Sequence, residues 1–147
     1  LCKYGEPAHP GDLTEHSGFC YTGPVRPPTR FLERGQEKHP VVFKSTMEST
    51  DIIMIKKALT SGLGIAVDMP LYHCVDLLES GQLKVILPGW HQPSWGAYVA
   101  CSKEAWHKKR VRLFMEWYAN QSTQEFLHLR ERLEKILGKE ETSKYYP

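Results

Sequence analysis

Between residues 52 and 59 the apolar positions recur at helical spacing. Ile52, Ile55, Ala58 and Leu59 share one face, and Lys56 and Lys57 fall toward solvent near the negative end of the helix dipole. Ser49, Thr50 and Asp51 precede this run, and each offers a side-chain oxygen to the unpaired N–H groups of a first helical turn. Gly62 suits the left-handed position that ends such a helix. Leu63-Gly64-Ile65-Ala66-Val67 follows, an apolar run without polar alternation, as expected of a strand covered on both faces; Pro70 stops it. Helix, glycine turn and buried strand make half of an α/β crossover, so the pattern predicts an α/β fold.

The same pattern recurs downstream. Leu71, Val75 and Leu78 predict a helix, Gly81 its cap, and residues 83–87 a strand. Upstream, the turn-rich residues 5–11 lead to Asp12, a candidate cap for a single helical turn. Residues 19–21 read as the first strand, closed by Thr22, Gly23, Pro24 and the stiff pair Pro27-Pro28. Residues 30–34 and 41–44 are expected to pair at a sheet edge, as a hairpin with a loop longer than two residues. The loop 88–96 carries Trp90 and Trp95, either packed beneath it or lining a pocket, and residues 97–101 read as a last strand. From Lys103 the chain turns helical, with Val111, Phe114, Trp117 and Tyr118 forming an apolar stripe that needs a partner surface. Ser122 and Glu125 have capping-box spacing ahead of Phe126, Leu129, Leu133 and Ile136, which predicts a helix restarting at Ser122. Residues 139–147 read as a loosely held tail.

Composition narrows the function classes. The 147 residues are 41% hydrophobic, enough for one ordinary folded domain. Nineteen basic against seventeen acidic side chains leave +2, so net charge gives no argument for binding nucleic acid or membrane; the run Lys108-Lys109-Arg110 with Arg112 reads as a solvated helix face. No apolar run approaches the roughly 20 residues that span a bilayer, and no signal-like start is seen, so a soluble, cytoplasmic protein with no membrane partner is expected. Cys2, Cys20, Cys74 and Cys101 lack metal or redox-pair spacing and are expected as reduced thiols; Cys20 or Cys74 would respond to redox only if the fold exposed it near a cation.

No cofactor is implied. Gly62-Leu63-Gly64 lies between helix and strand, the reverse of a dinucleotide fingerprint, and the seven histidines form no metal-ligand motif. His73-Cys74 is the nearest nucleophile–base pair, but neighbours on a helix point apart, so Cys74 reads as packing and no catalytic set emerges. What remains is the hydroxyl-rich helix start at Ser49, Thr50 and Asp51, at the carboxyl edge of a preceding strand. It suits a small organic anion, with two qualifications: Asp51 opposes a tight anion site unless it serves only as the cap, and simple capping explains the residues equally well.

Three segments together carry a family resemblance. They are Ala58-Leu59-Thr60-Ser61-Gly62-Leu63-Gly64-Ile65 with Pro70, then Leu77-Leu78-Glu79-Ser80-Gly81-Gln82-Leu83 leading to Leu87-Pro88-Gly89-Trp90, and Arg110-Val111-Arg112-Leu113-Phe114. Tyr4, Gly5, Pro7, Asp12, Leu13 and His16 fit the front of the pattern. In order and spacing the chain resembles, over residues 1–120, the effector-binding domain of LysR-type transcriptional regulators. The resemblance implies a periplasmic-binding-protein-like (type 2) architecture: a Rossmann-like α/β subdomain over 1–101, and a C-terminal helical segment with a polar tail, 102–147, returning to a first subdomain.

By the same resemblance the chain is a non-enzymatic sensor of a small-molecule effector. It looks truncated, without the winged helix-turn-helix, and would reach DNA only through that missing N-terminal domain. Carried over by position, Thr50, Asp51 and Ile52, with Ser49 beside them, contact the effector, and Tyr21 and Thr22 are secondary positions. Residues 71–87 are implied as a dimerisation surface, within a homodimer or tetramer. A solute-binding protein of the same fold and a small α/β enzyme are the alternatives.

Overall fold

The computed structural model describes residues 5–23, 27–93, 96 and 98–145. Cys2, Tyr4, Pro24, Trp95 and Ala97, named above, lie outside them. Three parallel strands form the central sheet in the order β4-β1-β5: β1 is Ser17–Tyr21, β4 is Ser45–Ser49 and β5 is Ile65–Ala66. The middle strand, β1, is buried on both faces. Phe19 meets Ile55 and Ala58 of helix α1, Ile52–Thr60, on one side, while Phe43 lies against Gly18, where any side chain would collide with its ring. The glycine turn after α1 has the expected form, with Gly62 at φ 71°. Gly64 is required for packing, since a Cβ there would run into the Ser17 carbonyl and the Phe19 ring.

The front of the chain departs from expectation in two ways. A 3₁₀ turn spans Pro10–Glu15, but its N-cap is His9, whose ring accepts the Gly11 N–H; Asp12 sits inside the turn and its carboxylate takes the N–H groups of Ala8 and His9. Those backbone bonds hold the Asp12 carboxyl below its usual range. The hairpin is shifted: β2, Phe31–Arg34, pairs with β3, Glu37–Pro40, through Gly35 and Gln36. Gly35 at φ 60° permits this two-residue turn, and the Arg34–Glu37 and Lys38–Glu33 ion pairs fix a register that an apolar pattern does not reveal. Val41 and Phe43 are freed to pack on the core of Leu13, Leu32, Ile65, Leu87 and Trp90.

Further on, four predicted elements change. The helix after Pro70 divides into a 3₁₀ turn, Leu71–His73, and a short α2, Val75–Glu79. Residues 83–87 and 98–101 form no strand. The helix does not restart at Ser122. After the single-turn α3, Lys103–Trp106, helix α4 runs unbroken over Lys109–Leu137, because no glycine or proline interrupts it and the Thr123 hydroxyl bonds back to the Ala119 carbonyl inside the helix. Its C-terminal half packs on α2, with Leu133 fully buried among Cys74, Val75 and Leu78. Arg132 ties the two helices by bonds to Asp76 at 2.5 Å and Glu79 at 2.6 Å.

The expected loose tail is also corrected. Over Lys139–Tyr145 it forms α5, anchored where Glu141 accepts the Gly89 N–H at 2.8 Å and the Tyr145 hydroxyl at 2.9 Å. Among the described residues no helix is long and apolar enough to cross a membrane.

Candidate ligand-binding site

In an open parallel sheet the strands end at a common carboxyl edge, where the following loops and helix N-termini leave a crevice. Here the sequence-predicted positions meet at that edge. Tyr21 and Ser49 are register partners at the ends of β1 and β4, and the Thr22 N–H donates to the Ser49 carbonyl at 3.0 Å. Thr50 and Asp51 follow directly and α1 begins at Ile52, so all six candidate residues occupy one rim. Tyr21, Thr22, Ser49 and Ile52 are half-buried, whereas Thr50 and Asp51 are exposed.

The helix start is largely engaged already. Asp51 accepts the Ile53 and Met54 N–H groups at 2.8 and 3.2 Å, its carbonyl accepts the Ile55 N–H, and Ser49 Oγ accepts the Asp51 N–H at 3.0 Å. A capping carboxylate thus stands where an anion would bind, and among the described residues the first-turn amide left without a partner is that of Ile52.

Asp68 is the residue that sequence reasoning missed. It lies two positions past β5 on the same edge and is 1% exposed. One carboxylate oxygen accepts the Thr29 N–H at 2.9 Å, and the Thr29 hydroxyl donates to Gln92 at 2.8 Å, which clasps the loop before β2 to the end of β5. The other oxygen has no hydrogen-bond partner among the described residues. A carboxylate interrupting the apolar run at Val67-Asp68-Met69 was the available signal.

The Cys20 thiol, a weak donor, is a neighbour of this carboxylate. Burial first, then the Asp68 and Glu48 charges, push that thiol up to about 11. Burial likewise raises Cys74, against a smaller opposing influence of Lys56. Both thiols are buried, so the exposure that a redox response required is not met. The His73-Cys74 pair separates as expected, Cys74 buried in the core and the exposed His73 ring against Tyr72. Among the described residues no cluster of His, Cys, Asp or Glu suits a metal ion.

The family model of the LysR substrate binding domain matches residues 1–123. The chain belongs to that family. Among curated relatives it is similar to the probable HTH-type transcriptional regulator SinR of Salmonella typhimurium, 25% identical over 117 residues, which are 78% of this chain and 37% of the relative. It is also similar to the HTH-type transcriptional regulator PtxR of Pseudomonas aeruginosa, 26% identical over 107 residues, 73% of this chain and 34% of that protein. A third, the uncharacterized HTH-type transcriptional regulator YhjC of Escherichia coli, is 28% identical over 123 residues, 81% and 40% respectively. The chain thus spans between about a third and two fifths of the length of these relatives. As a LysR substrate binding domain it is an effector-sensing element.

Proposed function

We propose that this chain is the carboxyl-side part of the effector-sensing region of a bacterial LysR-type transcription factor, with the type 2 periplasmic-binding-protein-like arrangement. Residues 1–101 form the second subdomain. Ser49, Thr50, Asp51, Ile52, Tyr21 and Thr22 make one wall of the effector cleft, and a preceding subdomain supplies the other. The observation that carries this reading is the Thr22–Ser49 bond, which gathers both groups of candidates at one carboxyl edge. The N-terminal half of α4 returns to a preceding subdomain, while its C-terminal half and α5 stay packed on α2 and Gly89. The exposed Leu113, Phe114, Trp117 and Tyr118 on the N-terminal half of α4 support that role, since an apolar stripe of this size asks for a covering surface.

The effector is a small polar molecule met by hydroxyls, with Asp51 acting as the cap. Closure of the two subdomains around it shifts the packing of a homodimer or tetramer built through residues 71–87, and so changes DNA binding by an N-terminal helix-turn-helix. The protein works in the cytoplasm and turns nothing over. Thermal-shift screening of the full-length regulator against a panel of small organic metabolites tests this reading. At least one compound should raise Tm, and Ser49→Ala with Thr50→Val should abolish its shift; a shift that survives both changes would place the cleft elsewhere.

A further inference from the structure

Three segments leave the carboxyl edge of the sheet, and two hydrogen bonds tie them together. The strand order β4-β1-β5 puts the end of β1 between its two neighbours. At Thr22 the chain leaving β1 is fastened to the β4 side, where its N–H meets the Ser49 carbonyl at 3.0 Å. At Thr29 it is fastened to the β5 side, where its N–H meets one Asp68 oxygen at 2.9 Å. The two anchors of this loop therefore lie on opposite sides of β1. Asp68 stands two positions past Ala66, as Tyr21 stands two past Phe19, the register partner of Ala66.

The anchor on the β5 side is shielded. Asp68 is 1% exposed, so water does not compete for the bond, and a carboxylate accepts an amide N–H more strongly than a neutral oxygen does. Its other oxygen has no hydrogen-bond partner among the described residues, so burial of this charge is offset chiefly at Thr29. An apolar side chain would continue the run Ile65-Ala66-Val67 without that penalty. The Thr29 hydroxyl goes on to Gln92 at 2.8 Å, and Pro27 and Pro28 restrict the backbone that leads into Thr29. A loop held at both ends has little freedom to move. Held only at Thr22, it would fray back into the end of β1.

We propose that Asp68 is a positioning residue of the effector rim. By holding the far end of the loop through Thr29, it fixes Tyr21 and Thr22 at the near end. With them it fixes the Thr22–Ser49 contact that joins the two groups of rim residues. This role rests on the reading that the rim meets the effector, while Asp68 itself is buried beneath it.

Amide exchange of the full chain, resolved by residue with NMR, tests the coupling without any effector. Asp68→Ala should speed exchange at Thr29 and Thr22 together, by roughly tenfold or more, and leave the α1 amides as they are. Asp68→Asn keeps an acceptor for Thr29 and should restore both. Thr29→Pro removes the donor with Asp68 in place, so it should reproduce the effect at Thr22. Exchange at Thr22 that stays unchanged in these variants overturns the proposal, as does an Asp68→Asn chain that behaves like Asp68→Ala. Where Asp68→Ala does not fold, Thr29→Pro decides. In the full-length regulator, the metabolite giving the largest thermal shift should bind Asp68→Ala roughly tenfold more weakly and Asp68→Asn about as well as wild type. Equal affinity in all three sinks the role of Asp68 and leaves the rim standing. A panel that shifts no protein sinks the effector reading, and the exchange result then decides whether Asp68 holds the rim.

Discussion

The Thr22 N–H reaches the Ser49 carbonyl at 3.0 Å, one step beyond the last register pair of β1 and β4. That bond sets the spacing between the loop after β1 and the start of α1. Thr22→Pro removes the donor and should lower stability by about 1 kcal/mol or more, while Thr22→Val keeps the N–H and should be nearly neutral. Urea denaturation of both variants checks the difference.

Asp51 caps α1 through two amides. Asp51→Ala should cost about 1 kcal/mol, and Asp51→Asn only a fraction of that, because asparagine also caps. Equal losses in the two variants, measured by chemical denaturation, would mean that the carboxylate charge and not the cap matters here.

The two halves of α4 should respond differently. Leu133 is fully buried against α2, so Leu133→Ala should cost about 2–5 kcal/mol. Trp117 is 57% exposed, so Trp117→Ala should change the stability of this chain by less than about 0.5 kcal/mol. In the full-length regulator the second variant should become costly, which calorimetry on both forms would reveal.

This helix shows how far the sequence could be read. Its apolar spacing was plain, but a capping-box spacing at Ser122 suggested a break, because the same residues serve a helix interior when no glycine or proline intervenes. The unit from Ser49 to Ala66 was legible in detail, since caps, glycines and periodicity agreed on it. Strand β4, Ser-Thr-Met-Glu-Ser, was not, because an exposed edge strand has no apolar alternation to show. The hairpin register depended on charge pairs, and the partner of the Asp68 carboxylate, the Thr29 N–H 39 positions away, was set by topology.

The Arg132 cluster gives a pH dependence. Hydrogen bonds from Arg132 hold the Asp76 and Glu79 carboxyls below their usual values of 3.8 and 4.5. Groups depressed on folding stabilise above the unfolded pKa and lose that contribution as pH falls through the folded one. The Tm should therefore decline as pH drops below about 4.5. Arg132→Gln should flatten this part of the profile and leave other acid-sensitive groups in place; an unchanged slope would show that the cluster adds nothing.

The central claim is that the rim formed by the ends of β1 and β4 contacts the effector. Calorimetric titration of the full-length regulator, using the compound with the largest thermal shift, measures this directly for wild type and Thr50→Val. Thr50 is exposed and its hydroxyl makes no hydrogen bond among the described residues, so the unliganded Tm should stay the same while affinity falls at least tenfold. Equal affinity in the two proteins would contradict the account and leave the helix start as a cap alone.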